Sequence, residues 1–264
     1  MEPMINIALR AARKAGENIV RASDDLDRYD VKAKGVNNFV TEVDVAADKE
    51  IVYHLNKAYP DHAVLGEETG LTGREDAEYP WVIDPLDGTT NFNRGIPHYA
   101  VSNACFHRDR VEHAVVVDPE RREEFIASRG RGAQLNGRRI RVSSLKSLDG
   151  ALHGTGIPFR NHCDDRLAAY AKSLELLAGQ CAGIRRAGAA SLDVAYVAAG
   201  RLDAFWEIGL AEWDIAAGAL LVREAGGLVT DVDGRDSYLE TGNIVCGNPK
   251  CFKSVLQAVK PLLA

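Results

Sequence analysis

The 264-residue sequence predicts a mixed fold in two parts, an α+β half over residues 1–148 and an α/β half over residues 149–264. Three observations carry this expectation. Helically spaced apolar residues near the N-terminus give way to short apolar runs separated by turn residues, the pattern of helices followed by an antiparallel meander. From Ala151 onward strands and helices alternate. No repeat, low-complexity tract or flexible linker divides the chain, so the two parts are expected to pack closely.

The first helix spans Ile5 to Val20, with Ile5, Ala8, Leu9, Ala12, Ala15, Ile19 and Val20 inward and Arg10, Arg13, Lys14 and Glu17 outward. Asp24 to Asp30 is a polar break, and Lys34-Gly35-Val36-Asn37-Asn38 is turn-like. Phe39-Val40-Thr41 leads into a helix of about Val43 to Ala58. Its opening acids, Glu42, Asp44 and Asp48, suit the positive end of a helix dipole. Ala63-Val64-Leu65 is a strand that ends in Gly66-Glu67-Glu68-Thr69-Gly70, with a loop to Pro80. Trp81 to Ile83 is a buried strand. Pro85 lacks a backbone donor and has a fixed φ, so this strand is expected to stop at Asp84.

Tyr99 to Phe106, Val111 to Asp118 and Glu124 to Ser128 continue the meander, and Asn136-Gly137 marks a hairpin before a strand from Arg138 to Val142. In the second half, strands are expected at Ala151–Thr155, Gly183–Arg186, Asp203–Ile208, Leu228–Thr230 and Ile244–Cys246. Helices are expected at Arg166–Leu177, Ala190–Ala199 and Ile215–Ala225. A last helix starts at Pro249, a residue suited to a first helical turn.

Composition excludes several classes. A net charge of −6 gives no general pull towards nucleic acid or anionic membrane. No run approaches the length of a bilayer span, and Met1-Glu2-Pro3-Met4 lacks the regions of a secretion signal. Cys105, Cys163, Cys181, Cys246 and Cys251 are odd in number and form no CxxC pair, which argues against a disulfide framework or a zinc knuckle. The expected address is the cytoplasm. A GxxxxGK[ST] loop, a GxSxG elbow and an HExxH helix are all missing. Gly183 to Gly188 has the glycine spacing of the first, but Ala189-Ala190 follow.

Chemistry gathers instead on carboxylates at the ends of apolar runs. Asp84 and Asp87 lie three apart across a turn that Gly88 frees, so they can converge, and two bare carboxylates at one point repel. A divalent cation resolves that repulsion, and Mg²⁺ suits oxygen-only ligands while sharing its shell with phosphate. Open N–H groups at Gly88 and Thr89 suit an anion. Glu67 and Asp214 lie at similar junctions, where ligand sites of α/β folds collect. Glu207 stands in the apolar run Phe205-Trp206-Glu207-Ile208, either facing outward or buried with a partner.

Gly66-Glu67-Glu68-Thr69, Trp81-Val82-Ile83-Asp84-Pro85-Leu86-Asp87-Gly88-Thr89-Thr90-Asn91-Phe92 and Trp213-Asp214-Ile215-Ala216-Ala217-Gly218 resemble the three signatures of the inositol monophosphatase family, in the right order and spacing. The resemblance covers essentially the whole chain. It is closest to the bacterial SuhB-type branch, through Arg185-Arg186-Ala187-Gly188 and the run from Ala195 to Gly200. It implies a layered αβαβα sandwich of the inositol monophosphatase / fructose-1,6-bisphosphatase type, and a Mg²⁺-dependent hydrolase of inositol 1-phosphate and similar small polyol monophosphates. By motif matching, Glu67, Asp84 and the Leu86 carbonyl would hold one Mg²⁺. Asp84, Asp87 and Asp214 would hold a second, with a third ion in some members. Thr89 and Asp44 would handle the attacking water, together with Glu67. The amides of Gly88 and Thr89 would hold phosphate, and Asp87, Gly188, Ala189, Ala190, Glu207 and Asp214 would hold the substrate. Lithium sensitivity and a homodimer, with Arg185-Arg186 near its interface, also follow from the resemblance. The nearest rival activities are fructose-1,6-bisphosphatase-like and nucleotide 3′-phosphatase-like; the short segment between Glu68 and Trp81 favours a small monophosphate.

One feature stands apart. Residues 126–148 contain no acid, while Arg129, Arg131, Arg138, Arg139, Arg141 and Lys146 give a local charge of +6. This is either a solvated hairpin face or a docking surface for an acidic protein or RNA. The SuhB-type branch partners the Nus antitermination factors and RNA polymerase in ribosomal RNA synthesis, which makes a second role in transcription the alternative expectation.

Overall fold

A computed structural model describes residues 2–24, 31–35, 38–158 and 166–263. The polar break at 25–30, the turn residues 36–37 and Cys163 lie outside the described residues. Helix α1 (Pro3–Ser23) buries the stripe read from the sequence, from Ile5 to Ile19. Strands β1 (Val31–Gly35) and β2 (Asn38–Thr41) form an antiparallel hairpin that leads into α2 (Glu42–Ala58). The meander is built from β3 (Ala63–Gly66), β4 (Gly70–Thr72), β5 (Pro80–Asp87), β6 (Ala100–His107), β7 (Arg110–Asp118), β8 (Glu123–Ser128), β9 (Gly132–Leu135) and β10 (Arg138–Arg139). A short helix α3 (Thr89–Asn93) links β5 to β6. These eight strands form one sheet in the order β10-β9-β8-β7-β6-β5-β3-β4, in which the β3–β5 pair is parallel and the others are antiparallel.

A second sheet uses β11 (Leu152–Thr155), β12 (Gly183–Arg185), β13 (Ala204–Glu207), β14 (Leu228–Thr230) and β15 (Ile244–Gly247), in the order β12-β11-β13-β15-β14. Its helices are α4 (Arg166–Ala178), α5 (Ala190–Ala198), α6 (Glu212–Glu224), α7 (Tyr238–Thr241) and α8 (Pro249–Leu263). The layers follow from which helices are apolar all round. In α6, Ile215, Ala216, Ala217, Ala219, Leu220, Leu221 and Val222 are all buried, because α5 and α6 lie between the two sheets and touch both. By contrast α1 and α2 cover the outer face of the large sheet, and α4 and α8 cover that of the small one. The result is the layered αβαβα sandwich, with one apolar cluster around the central helices and one beneath each outer helix layer.

Two strand readings are corrected. The strand through Trp81 does not stop at Asp84 but runs to Asp87. The pairing of β5 with β6 skips from Asp84↔Ser102 to Asp87↔Ala100, and this irregularity takes up Pro85, whose missing N–H no ladder bond needs. The arm after Asn136-Gly137 is only Arg138–Arg139. Beyond Ile140 the chain leaves the sheet, and the Val142 N–H donates to the Ala225 carbonyl at the end of α6. The stretch from Gly70 to Pro80, read as loop, contains the edge strand β4, since Leu65↔Leu71 and Gly66↔Gly70 pair across a tight turn.

Candidate active site

The site forms where the C-terminal end of β5 meets the N-terminal ends of α5 and α6. Asp84 is buried in β5, and its Oδ1 accepts the Leu86 N–H at 2.9 Å. Asp87 closes the same strand. Its Oδ2 accepts both the N–H of Ser191, at 2.7 Å, and the Ser191 hydroxyl, at 2.6 Å. That arrangement also starts a helix: Ala189 at the N-cap of α5 has no side-chain acceptor, so Asp87 supplies one from another layer. Asp214 lies in the first turn of α6, where its Oδ2 accepts the Ala211 N–H at 2.7 Å. The Ser102 hydroxyl, opposite Asp84 in the ladder, donates to the Trp213 carbonyl and fixes α6 against the sheet.

Asp84, Asp87 and Asp214 thereby bring one oxygen each within 4.8 Å of one another. Burial, then the neighbouring Glu67, Asp87 and Asp214, push Asp84 well above the usual carboxylate range. Burial and Asp87 do the same for Asp214. Burial raises Asp87 to about 6, against the opposing hydrogen bonds from Ser191. Glu67 is not one of the 4.8 Å group, yet its charge acts on both Asp84 and Asp214. Its turn is held by Asp48, which sits in mid-helix rather than at the opening of α2. Asp48 accepts the N–H of Glu68 at 3.0 Å and the Thr69 hydroxyl at 2.6 Å. Gly66 is needed for this contact, since a Cβ there would come 2.4 Å from Asp48 Oδ2.

Beside the carboxylates, the Thr89 hydroxyl donates to Asp44 Oδ1 at 2.9 Å and lies 3.0 Å from the Leu86 carbonyl. A hydroxyl has one proton, so it serves one of these acceptors at a time. Asp44 is buried in the first turn of α2, and its bond to Thr89 shows that it does more than complement the helix dipole. Gly88 adopts a left-handed φ of 96° before α3, with the backbone at His98 and Tyr99 closely packed against it. Asn91 carries the turn across to the next layer by donating to the carbonyls of His98, at 2.8 Å, and Ala187, at 2.9 Å.

The carboxylates open into a small cleft lined by Asp87 and Asp214, by Gly188, Ala189 and Ala190, and by Glu207, with Thr155, Gly156, Arg186, Asp193 and Leu210. Every residue expected at the substrate position except Gly88 and Thr89 is on that wall. Glu207 faces inward and is buried; burial, then Asp214 and Asp193, raise it well above the ordinary range. It lies over Gly156, where a Cβ would fall 1.7 Å from its Oε1. Arg186, expected at a subunit contact, also lines the cleft. Ser191, Asp48, Asn91 and Asp193 are site residues that the sequence reading did not assign.

The family model described as the inositol monophosphatase family matches residues 1–262. A relative from Pseudomonas aeruginosa named Nus factor SuhB is 63% identical over 265 residues, covering 100% of this chain and 98% of its own. The crystal structure of the extragenic suppressor protein suhB from Bartonella henselae superposes with a TM-score of 0.94 at 40% identity, covering 98% of this chain and 99% of its own. An inositol monophosphatase from Anabaena superposes with a TM-score of 0.85 at 33% identity, covering 98% of this chain and 95% of its own.

Proposed function

The chain belongs to the inositol monophosphatase family, and from that premise we propose that it is a Mg²⁺-dependent phosphatase of small polyol monophosphates, inositol 1-phosphate among them. The observation that carries this reading is the meeting of three carboxylates from two layers within 4.8 Å, Asp84 buried and Asp87 and Asp214 half-buried. Their mutual repulsion, and the all-oxygen character of the donors, fit a hard divalent cation such as Mg²⁺. Glu67, Asp84 and the Leu86 carbonyl would hold one ion, and Asp84, Asp87 and Asp214 a second; a third, as in some family members, would lie near Glu67. When bound, the ions supply an activated water near neutral pH and charge neutralisation at the leaving oxygen.

The protein's own groups do the positioning, which carries most of phosphoryl-transfer catalysis. Thr89, with its proton given to Asp44, offers a lone pair to the attacking water, and Asp44 extends the path for that proton. The amides of Gly88 and Thr89 receive the phosphate. The backbone from Gly188 to Ala190 walls the substrate, and Glu207 accepts a ring hydroxyl. The test is phosphate release from inositol 1-phosphate with Mg²⁺ and with EDTA, for wild type and Asp87→Asn. Activity that needs Mg²⁺, is inhibited by millimolar Li⁺ and collapses in the variant supports the reading; activity unaffected by EDTA would falsify it.

A second reading is favoured by the name of the 63% identical relative, Nus factor SuhB. We infer a partner surface on the β9–β10 hairpin at the sheet edge, suited to an acidic face of a Nus factor or RNA polymerase, or to RNA. Arg129 and Arg131 are drawn into ion pairs with Glu112 and Glu2, whereas Arg138, Arg139, Arg141 and Lys146 are exposed with no carboxylate within 4.0 Å among the described residues. Reversing Arg138, Arg139 and Arg141 to Glu should abolish capture of such a partner and spare phosphate release. Undiminished capture would remove this reading.

A further inference from the structure

The cleft holds more carboxylate than metal binding uses. Asp87 and Asp214 belong to the acidic cluster, but Asp193 and Glu207 also line the cavity, and they are 3% and 7% exposed. Neither side chain has a hydrogen-bond donor or an ion pair among the described residues; the charge of Arg186, too far for a direct contact, is the one cation that favours their ionised forms. Asp193 stands one turn into α5, over Gly154 of β11, on a helix whose other buried side chains are mostly small or apolar. Nothing in the local packing calls for a carboxylate there. Elsewhere, buried acids such as Asp203 and Asp231 are met by donors: Asp203 by the Ser143 hydroxyl and the Leu152 N–H, and Asp231 by Ser237 and the Arg235 N–H. A buried acid without donors is costly unless a ligand brings them.

We propose that Asp193 is a specificity-determining residue that accepts a hydrogen bond from a second hydroxyl of the substrate beside the one received by Glu207. This inference rests on the phosphatase reading and names the class of ester within it: a monophosphate whose alcohol carries vicinal hydroxyls and no second anionic group. The carboxyl oxygens of Asp193 and Glu207 are acceptors to which the protein brings no hydrogen-bond donor, so the pair is matched by a ligand that supplies hydroxyl groups. A second phosphate entering this floor would meet Asp193 and Glu207 with the single cation Arg186 at the rim, which disfavours bisphosphates and phosphorylated nucleotides. Arg186 in turn donates to the lone pairs of the same hydroxyls. A site built to hydrogen-bond a hydroxyl discriminates strongly against analogues that lack it.

The test compares Asp193→Asn with wild type on inositol 1-phosphate and on 4-nitrophenyl phosphate, which has no hydroxyl to read. It is paired with saturation-transfer NMR of myo-inositol alone. The expected result is an approximately tenfold fall in the ratio of kcat/KM for inositol 1-phosphate to that for 4-nitrophenyl phosphate, with loss of the myo-inositol signal. The melting temperature should be unchanged or higher, since an uncompensated buried acid is neutralised. Should this variant not fold, Asp193→Ser takes its place. A ratio that stays constant, whether both activities fall or neither does, overturns the proposal. If wild type hydrolyses no ester yet binds myo-inositol in a manner that needs Asp193, the phosphatase reading fails and this one stands. Failure of wild type to bind myo-inositol while the ratio is constant overturns it as well.

Discussion

Two acidic turns in this molecule are built from the same residue types and behave in opposite ways. At the turn after β14, Asp231 is buried, yet its carboxylate is surrounded by donors: the Ser237 hydroxyl at 2.5 Å and the Arg235 N–H at 2.7 Å. Burial pushes its pKa up, but these donors outweigh burial and hold it below the ordinary value. At the end of β5, Asp84 has one backbone donor and three carboxylates around it, and burial raises it well above that value. The difference separates a carboxylate that completes a turn from one that, on the proposed reading, would hold a cation. Solvent exposure alone does not distinguish them. The supply of donors does.

The comparison can be broken most severely at Asp84. Asp84→Asn removes the ligand proposed to be shared by both ion positions, and we expect kcat/KM to fall by roughly a thousandfold, about 4 kcal/mol. In EDTA the same variant should melt higher than wild type, because it takes one charge from a repelling set. Loss of activity with a lower melting temperature in EDTA would mean that Asp84 is structural, like Asp231. A smaller effect is expected at Ser191→Ala, which removes one of the two donors orienting Asp87. Here the Mg²⁺ concentration for half-maximal activity should rise about tenfold, as measured also by calorimetry of Mg²⁺ binding. No change in either would show that the Ser191 N–H suffices.

Asp231→Asn should leave phosphate release untouched while costing about 2 kcal/mol in denaturant unfolding. The pH dependence of stability in EDTA sharpens the contrast further. Asp87, raised to about 6 by burial, holds a proton in the folded state that an unfolded aspartate releases near 4. Stability should therefore fall as pH rises from about 4 to about 6. Asp231 is held low, so its contribution is present above about 4 and lost as pH falls further. Saturating Mg²⁺ should flatten the first limb and leave the second.

The carboxylate corner was legible in the sequence because its members sit in short local strings, Asp84 to Asp87 and Trp213-Asp214, each at the end of an apolar run. The five-layer order was legible in part: the amphipathic α1 and the wholly apolar α6 indicate an outer and an inner helix before any contact is known. What could not be read depends on partners far apart in the chain. Ser191 stands 104 residues from Asp87, in a run of small residues that reads as helix core. Asp48 looks like a dipole acid until the turn 21 residues later folds back onto it. The strand through Pro85 was misread because a missing N–H ends a regular ladder, whereas here the irregular pairing after Asp84 makes that N–H unnecessary.

Gly156 gives the floor of the cleft an unusual vulnerability to drift. A Cβ at this position would coincide with the Glu207 carboxyl group, 1.7 Å from its Oε1. A single methyl group, added without touching any charged residue or any metal ligand, would evict Glu207 and leave the phosphate end of the site whole. If Glu207 accepts a substrate hydroxyl as proposed, descendants of this sequence lie one substitution away from a phosphatase that keeps its chemistry and no longer recognises the alcohol it releases.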